Sequence, residues 1–193
     1  MSTITGKELV KNAFGCKKCE RIPWVPFVGV HAGELIGADA ESYLKSEELI
    51  VNGVERAIKL YRADGIPVLF DLQLEAEALG CELMWAKDNP PSVKSHPMES
   101  GVTLEQLPKF DPTQGRVAMV MSAASALTRR NPDIAFYGLV TGPFTLALHL
   151  KGTGIFMEMY TNPQEIHRTL SFCCEIAKQM VLQYKRAGVE IID

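Results

Sequence analysis

The sequence predicts an α/β protein of about four β/α units, the first half of a (β/α)8 barrel. Three observations point to it. Short apolar runs alternate with segments of helical periodicity, the pattern of parallel strands joined by crossover helices. Three of those runs stop abruptly: Val25 to Val30 at His31-Ala32-Gly33, Ile66 to Phe70 at Asp71, and Ala135 to Val140 at Thr141-Gly142-Pro143. Ligands of α/β proteins bind at the carboxyl ends of the strands, so these places form one candidate rim. Finally, a whole barrel needs about 250 residues, whereas the fourth strand, Val189 to Ile192, comes at the end of 193. The expectation is one domain over 1–193, with 1–22 an N-terminal helix and lead-in. Open strand edges would then pair in a homodimer or other assembly. A doubly wound four-stranded sheet is the competing architecture, but no Gly-rich phosphate fingerprint follows the first strand.

The elements follow in order. Thr5 to Phe14 reads as a helix with Leu9, Val10 and Ala13 on its apolar stripe. Cys16-Lys17-Lys18-Cys19 lacks a second pair and a preceding strand, so it reads as a helix end and loop rather than a zinc or redox motif. Pro23 and Pro26 bracket the first strand, Val25 to Val30, and His31 to Ile36 turns into a short helix. Ser46 caps a long helix, with Glu47 and Glu48 in the first turn, where the dipole favours negative charge. Asp64-Gly65 ends that helix and the second strand, Ile66 to Phe70, begins.

Cys81 to Ala86 reads as an accessory strand and Lys87 to Pro97 as a polar, Pro-rich loop at an active-site edge. Gly115 to Arg129 is a helix with an Ala/Met/Val face, where Met119 and Met121 fill core gaps. Asn131-Pro132 stops it. After the strand Ala135 to Val140, Gly142-Pro143 starts an apolar helix bearing His149. Asn162-Pro163 starts the last helix, with Ile166, Leu170, Cys173, Ala177, Val181 and Tyr184 as its stripe.

A formal net charge of -3 argues against a nucleic-acid partner. No apolar run approaches the roughly 20 residues of a membrane span, and Met1 to Glu20 has no apolar signal core. Five Cys without framework spacing fit a reducing, cytoplasmic setting.

Several rim residues have two readings each. Asp71 at the end of an apolar strand needs a partner or a cavity, or else it caps the next helix. His31 either orients a substrate, handles a proton or binds metal, or it faces solvent. His149 is either a core histidine or a site residue. Glu75 and Glu77 are either catalytic acids or a solvated helix start. His96 and His167 read as surface residues, and Cys173-Cys174 as core thiols.

Three motifs resemble the uroporphyrinogen decarboxylase family, closest to its corrinoid (methylcobamide)-dependent methyltransferase branch, over nearly the whole chain as the N-terminal part of a longer barrel. Gly142-Pro143-Phe144-Thr145-Leu146 with Gly152 is similar to the family's Gly-x-Pro-aromatic-Thr-Leu segment, with one residue fewer before the Pro. Phe70-Asp71 with Gly80 is similar to its Phe-x-Asp pattern, and Glu75 to Gly80 matches the methyltransferase branch. The decarboxylases' Arg-Gln-Ala-Gly-Arg segment holds substrate carboxylates; here it reads Val30-His31-Ala32-Gly33-Glu34, without either arginine.

The resemblance implies a barrel of the uroporphyrinogen decarboxylase type and methyl transfer between a corrinoid protein and a thiol or related small-molecule acceptor. Asp71 and His149 fall on the family's motif positions; with His31 at the end of the first apolar run they are the candidate catalytic residues, and Glu75, Glu77, Phe70, Gly142, Pro143 and Phe144 the candidate substrate contacts. The resemblance also implies a zinc site of His-x-Cys and a later Cys, whose ligands lie outside this chain, so no metal ligand is assigned here. The alternatives are a decarboxylase-like carboxy-lyase acting on a tetrapyrrole or other carboxylate, and a non-catalytic half-barrel that assembles or binds.

Overall fold

Caps and apolar stripes settle most of the helices. The computed structural model describes residues 4–193, so residues 1–3 of the lead-in lie outside the described residues. Helix α1 (Gly6–Phe14) opens with a reciprocal cap, Thr5 and Glu8 each accepting the other's backbone N–H. Two short helices, α2 (His31–Glu34) and α3 (Ala40–Leu44), lead to α4 (Glu47–Tyr61). Ser46 caps α4 as predicted, accepting the Leu49 N–H at 3.3 Å. Strand β1 (Gly65–Pro67) and helix α5 (Leu74–Ala78) follow. An antiparallel pair, β2 (Leu83–Met84) and β3 (Ser92–Val93), precedes helix α6 (Gly115–Arg130). Next come strand β4 (Ala135–Gly138) and helices α7 (Pro143–Lys151), α8 (Ile155–Thr161) and α9 (Pro163–Arg186), and then strand β5 (Ile191–Ile192). No helix of the described residues is long and apolar enough to cross a membrane.

Among the described residues the main sheet has the order β1-β4-β5, with both pairings parallel and Ile66 opposite Phe136. β1 and β4 are buried throughout, as parallel strands covered by helices must be. Gly138 is a packing requirement: a Cβ there would lie 2.5 Å from the Tyr184 ring, so its absence lets α9 lie on the sheet.

Four predicted details need correction. Val25 to Val30 is not a ladder strand, so the described parallel strands number three rather than four. Pro23 and Pro26 remove two donors within four residues, and a ladder cannot form on what is left. The segment is instead stitched at one point. The Trp24 carbonyl accepts the Asp64 and Gly65 N–H groups, and the Asp64 carboxylate accepts the Trp24 N–H at 2.7 Å.

The segment Lys87 to Pro97 is not wholly a loop, because Ser92–Val93 pairs with the accessory strand. The buried stripe of α9 is Ile166, Thr169, Cys173, Ile176, Met180 and Tyr184, while Val181 is 37% exposed. Thr169 can sit inside because its hydroxyl donates to the Glu165 carbonyl of its own helix. Asn162 precedes α9 but its side chain makes no capping bond; Pro163 in the first turn does the starting.

On the face of the sheet toward α1 lies an apolar trough of about 490 Å³, lined by Val10, Phe14, Phe27, Tyr137 and Ile191. Phe14 is 71% exposed there, and Phe27 meets Phe70 and Tyr137 edge-on at 5.4 and 5.8 Å.

Candidate functional site

Because β1 pairs with β4, the chain leaving each strand enters the same rim. The first exit carries Phe70 and Asp71; the second carries Thr141, Gly142 and Pro143. Asp71 is 4% exposed, so both carboxylate oxygens need partners. One accepts the Gln73 N–H at 2.9 Å, and the other accepts Nη1 of Arg116 at 2.7 Å. Arg116 also donates through Nε to Glu77 at 2.6 Å and lies 4.9 Å from the Trp85 ring centroid. Its Nη2 is buried without a partner.

Arg116 escaped the sequence reading, which saw only an apolar face on α6. A signal was available. Arg116 stands in the first turn of α6, where the helix dipole disfavours a cation, so it needed a carboxylate partner.

Glu75 and Glu77 are not a solvated face, since Glu77 bonds Arg116 and Glu75 is 1% exposed. The Thr141 N–H donates to Glu75 Oε1 at 2.9 Å, and the Thr141 hydroxyl lies 2.8 Å from Oε2. Burial pushes the Glu75 carboxyl above the ordinary carboxylate range, with the Thr141 bonds opposing.

His149 is half-buried on α7, and its Nδ1 is enclosed without a partner. Burial lowers its imidazole below the ordinary value; nearby His96 adds to this and the Asp71 charge works against it. The His149 carbonyl accepts His96 Nδ1–H at 2.7 Å and the Cys81 thiol at 3.4 Å. His96 is therefore half-buried beside His149 rather than a free surface residue, because β3 and the segment after it fold back over α7.

His31 stands apart from this network. Its ring bonds Glu34 Oε2 at 3.0 Å and the Tyr61 hydroxyl at 2.6 Å, on the side where α2 meets α4. Phe70 packs against Phe27, and Phe144 is exposed at the start of α7 with its ring 6.2 Å from Phe156. Asp71, Arg116 and Glu77 thus form one bonded group and Glu75 with Thr141 a second beside it, and His149 lies within reach of the Asp71 charge.

Cys16 is exposed, and the Cys19 thiol faces the Leu9 carbonyl at 3.7 Å. Among the described residues no three of His, Cys, Asp and Glu converge to hold a metal ion. The zinc that the resemblance implies has no ligand set among these residues.

The uroporphyrinogen decarboxylase (URO-D) family model matches residues 5–193. A methylcobamide:CoM methyltransferase of Methanosarcina acetivorans is 27% identical over 192 residues, covering 94% of this chain and 56% of that protein. One from Methanosarcina mazei is 26% identical over 197 residues, covering 98% and 56%. A methylated-thiol–coenzyme M methyltransferase of Methanosarcina mazei is 33% identical over 100 residues, 51% of this chain and 27% of that one. A solved methyltransferase from Methanosarcina mazei has the same fold, with TM-score 0.84 at 22% identity, covering 98% of this chain and 58% of its own. The chain spans about half the length of the curated relatives it matches.

Proposed function

The chain belongs to the uroporphyrinogen decarboxylase family, and on that premise we propose that it works in a methyltransferase moving a methyl group from a corrinoid on a partner protein to a small thiol. The observation that carries the reading is its similarity to methylcobamide:CoM methyltransferases across 94% and 98% of its length. In such a transfer the carbon–cobalt bond breaks with its electron pair left on cobalt. A carbon–sulfur bond forms, and the thiol proton goes to a base.

His149 fits the base. Burial favours its neutral ring, the form that can accept a proton. The Asp71 charge favours the imidazolium as the proton arrives, and Arg116 holds Asp71 in place. In this reading Phe70, Gly142, Pro143, Phe144 and Glu77 contact the substrate at the rim, and His31, which stands apart with Glu34 and Tyr61, has no part in the proton transfer. The reading relies on no metal ligand among the described residues.

Decarboxylation of a polycarboxylate is the weaker alternative. Val30 and Glu34 occupy the two positions where the resemblance would place arginines, and Arg116 is already engaged by Asp71 and Glu77. We also propose a homodimer or other assembly through the open edge strands of the sheet. Light scattering that finds a monomer would overturn it.

The test incubates the intact polypeptide carrying this sequence with methylcobalamin and a small thiol. Loss of methylcobalamin absorbance should match thioether formation by mass spectrometry. His149→Ala should slow both by about 10²-fold. No thioether above the protein-free rate would sink the reading.

A further inference from the structure

Glu75 sits at the centre of the rim with nothing charged to balance it. Its residue is 1% exposed, and among the described residues no cation pairs with it. The titratable groups facing it are Asp71 from the preceding loop and Tyr184 from α9, neither of which supplies positive charge. From the β4–α7 turn it meets Thr141. Arg116 of α6 is directed to Asp71 and Glu77 instead.

Thr141 has one hydroxyl proton for two close oxygens, those of Glu75 and Leu72. The Thr141 N–H donates to Oε1 at 2.9 Å. The Thr141 hydroxyl lies 2.8 Å from Oε2 and 2.9 Å from the Leu72 carbonyl. A hydroxyl has one proton, and a carbonyl accepts only. When that proton goes to Leu72, the proton between Oγ1 and Oε2 must belong to Glu75.

We propose that Glu75 is held as a neutral carboxylic acid whose Oε2–H donates to Thr141, while Thr141 donates onward to the Leu72 carbonyl. Glu75 is then a positioning residue. It fixes Thr141, which immediately precedes Gly142-Pro143 and the α7 that carries Phe144 and His149. Through Thr141 it also fixes Leu72, the residue after Asp71. Loss of the proton would turn the Thr141 hydroxyl toward Glu75 and release the Leu72 carbonyl beside Asp71. It would also leave a buried anion next to Asp71 with no cation of its own. Burial independently drives the Glu75 carboxyl upward.

Glutamine reproduces the neutral acid's pattern, since its carbonyl accepts the Thr141 N–H and its amide donates to Oγ1. The test is a carboxyl-carbon NMR titration of the full chain labelled at glutamate, with Glu75→Gln as the assignment control. One carboxyl should titrate above every other glutamate, and its signal should be missing from the variant. A carboxyl raised in the folded state makes the wild type lose stability as pH rises from the unfolded value through the folded one. Glu75→Gln should fold and lack that decline in urea unfolding. The proposal is overturned if all glutamates titrate together, if Glu75→Gln fails to fold, or if the two proteins share one pH dependence. None of these readouts involves methyl transfer, so the inference stands or falls apart from the proposed function.

Discussion

Arg116 Nη1 donates to Asp71 Oδ2 at 2.7 Å across 45 residues of sequence, from α6 to the loop after β1. The Asp71 side chain is 1% exposed and the Arg116 side chain 11%. Each therefore depends on the other for the solvation it gave up.

Removing the cation should be expensive. Arg116→Ala leaves Asp71 buried and unpaired and releases Glu77, for an expected loss of about 3–5 kcal/mol. Arg116→Lys keeps a charge but not the fork that serves two carboxylates, so its loss should be intermediate. Urea unfolding checks both. An alanine variant within about 0.5 kcal/mol of wild type, the usual range of a surface change, would contradict the pairing.

Asp64 should make the lead-in acid-sensitive. Arg21 grips its carboxylate through Nη1 and Nη2 at 2.5 and 2.7 Å and holds it below the usual carboxylate range. A carboxyl lowered in the folded state contributes stability above its unfolded value, and that stability is lost as pH falls through the folded one. Asp64→Asn should therefore unfold at a lower temperature than wild type at neutral pH. It should also show a smaller further drop in acid. Parallel melting curves for the two proteins would refute the anchor.

The thiols should react in a fixed order. Cys16 is exposed, whereas burial pushes Cys81 up to about 11 and Cys173 up to about 12. Thiolate is the reactive form, so an alkylating reagent near pH 8 should mark Cys16 first and spare the two buried thiols until unfolding. Early labelling of Cys173, read by peptide mass spectrometry, would contradict the packing of α9.

Gly53→Ala sets two effects against each other. Alanine in a helix interior gains about 1 kcal/mol over glycine. At this position of α4 its Cβ would lie 2.6 Å from the Ala32 carbonyl oxygen and 2.9 Å from the Tyr43 ring. Backbone cannot give way as a side chain can, and overpacking of this kind costs about 1–3 kcal/mol. The variant should be less stable than wild type in urea; a gain would mean α2 can move off α4.

Local chemistry explains what could be read from the chain in advance. Ser46 and the Gly142-Pro143 start are caps written into adjacent residues, and both helices form where predicted. Met119 and Met121 pack against the core as expected. What escaped depends on contacts between distant segments. Arg116 meets Asp71, Thr141 meets Glu75, and His96 meets His149, separated by 45, 66 and 53 residues respectively. The strand expected at Val25 to Val30 failed for the opposite reason. Its apolar content was judged correctly, but two prolines outweighed it.

Those prolines also shield the start of β1 from strangers. The carbonyl of Trp24 takes up the Asp64 and Gly65 donors, and Val25 packs 3.3 Å from where a Gly65 Cβ would be. A neighbouring molecule seeking to extend the sheet there meets a chain that cannot continue a ladder. The flank where the sheet loses a strand is thereby made a poor template for fibrils, and the irregularity serves as a guard against self-association in the wrong register.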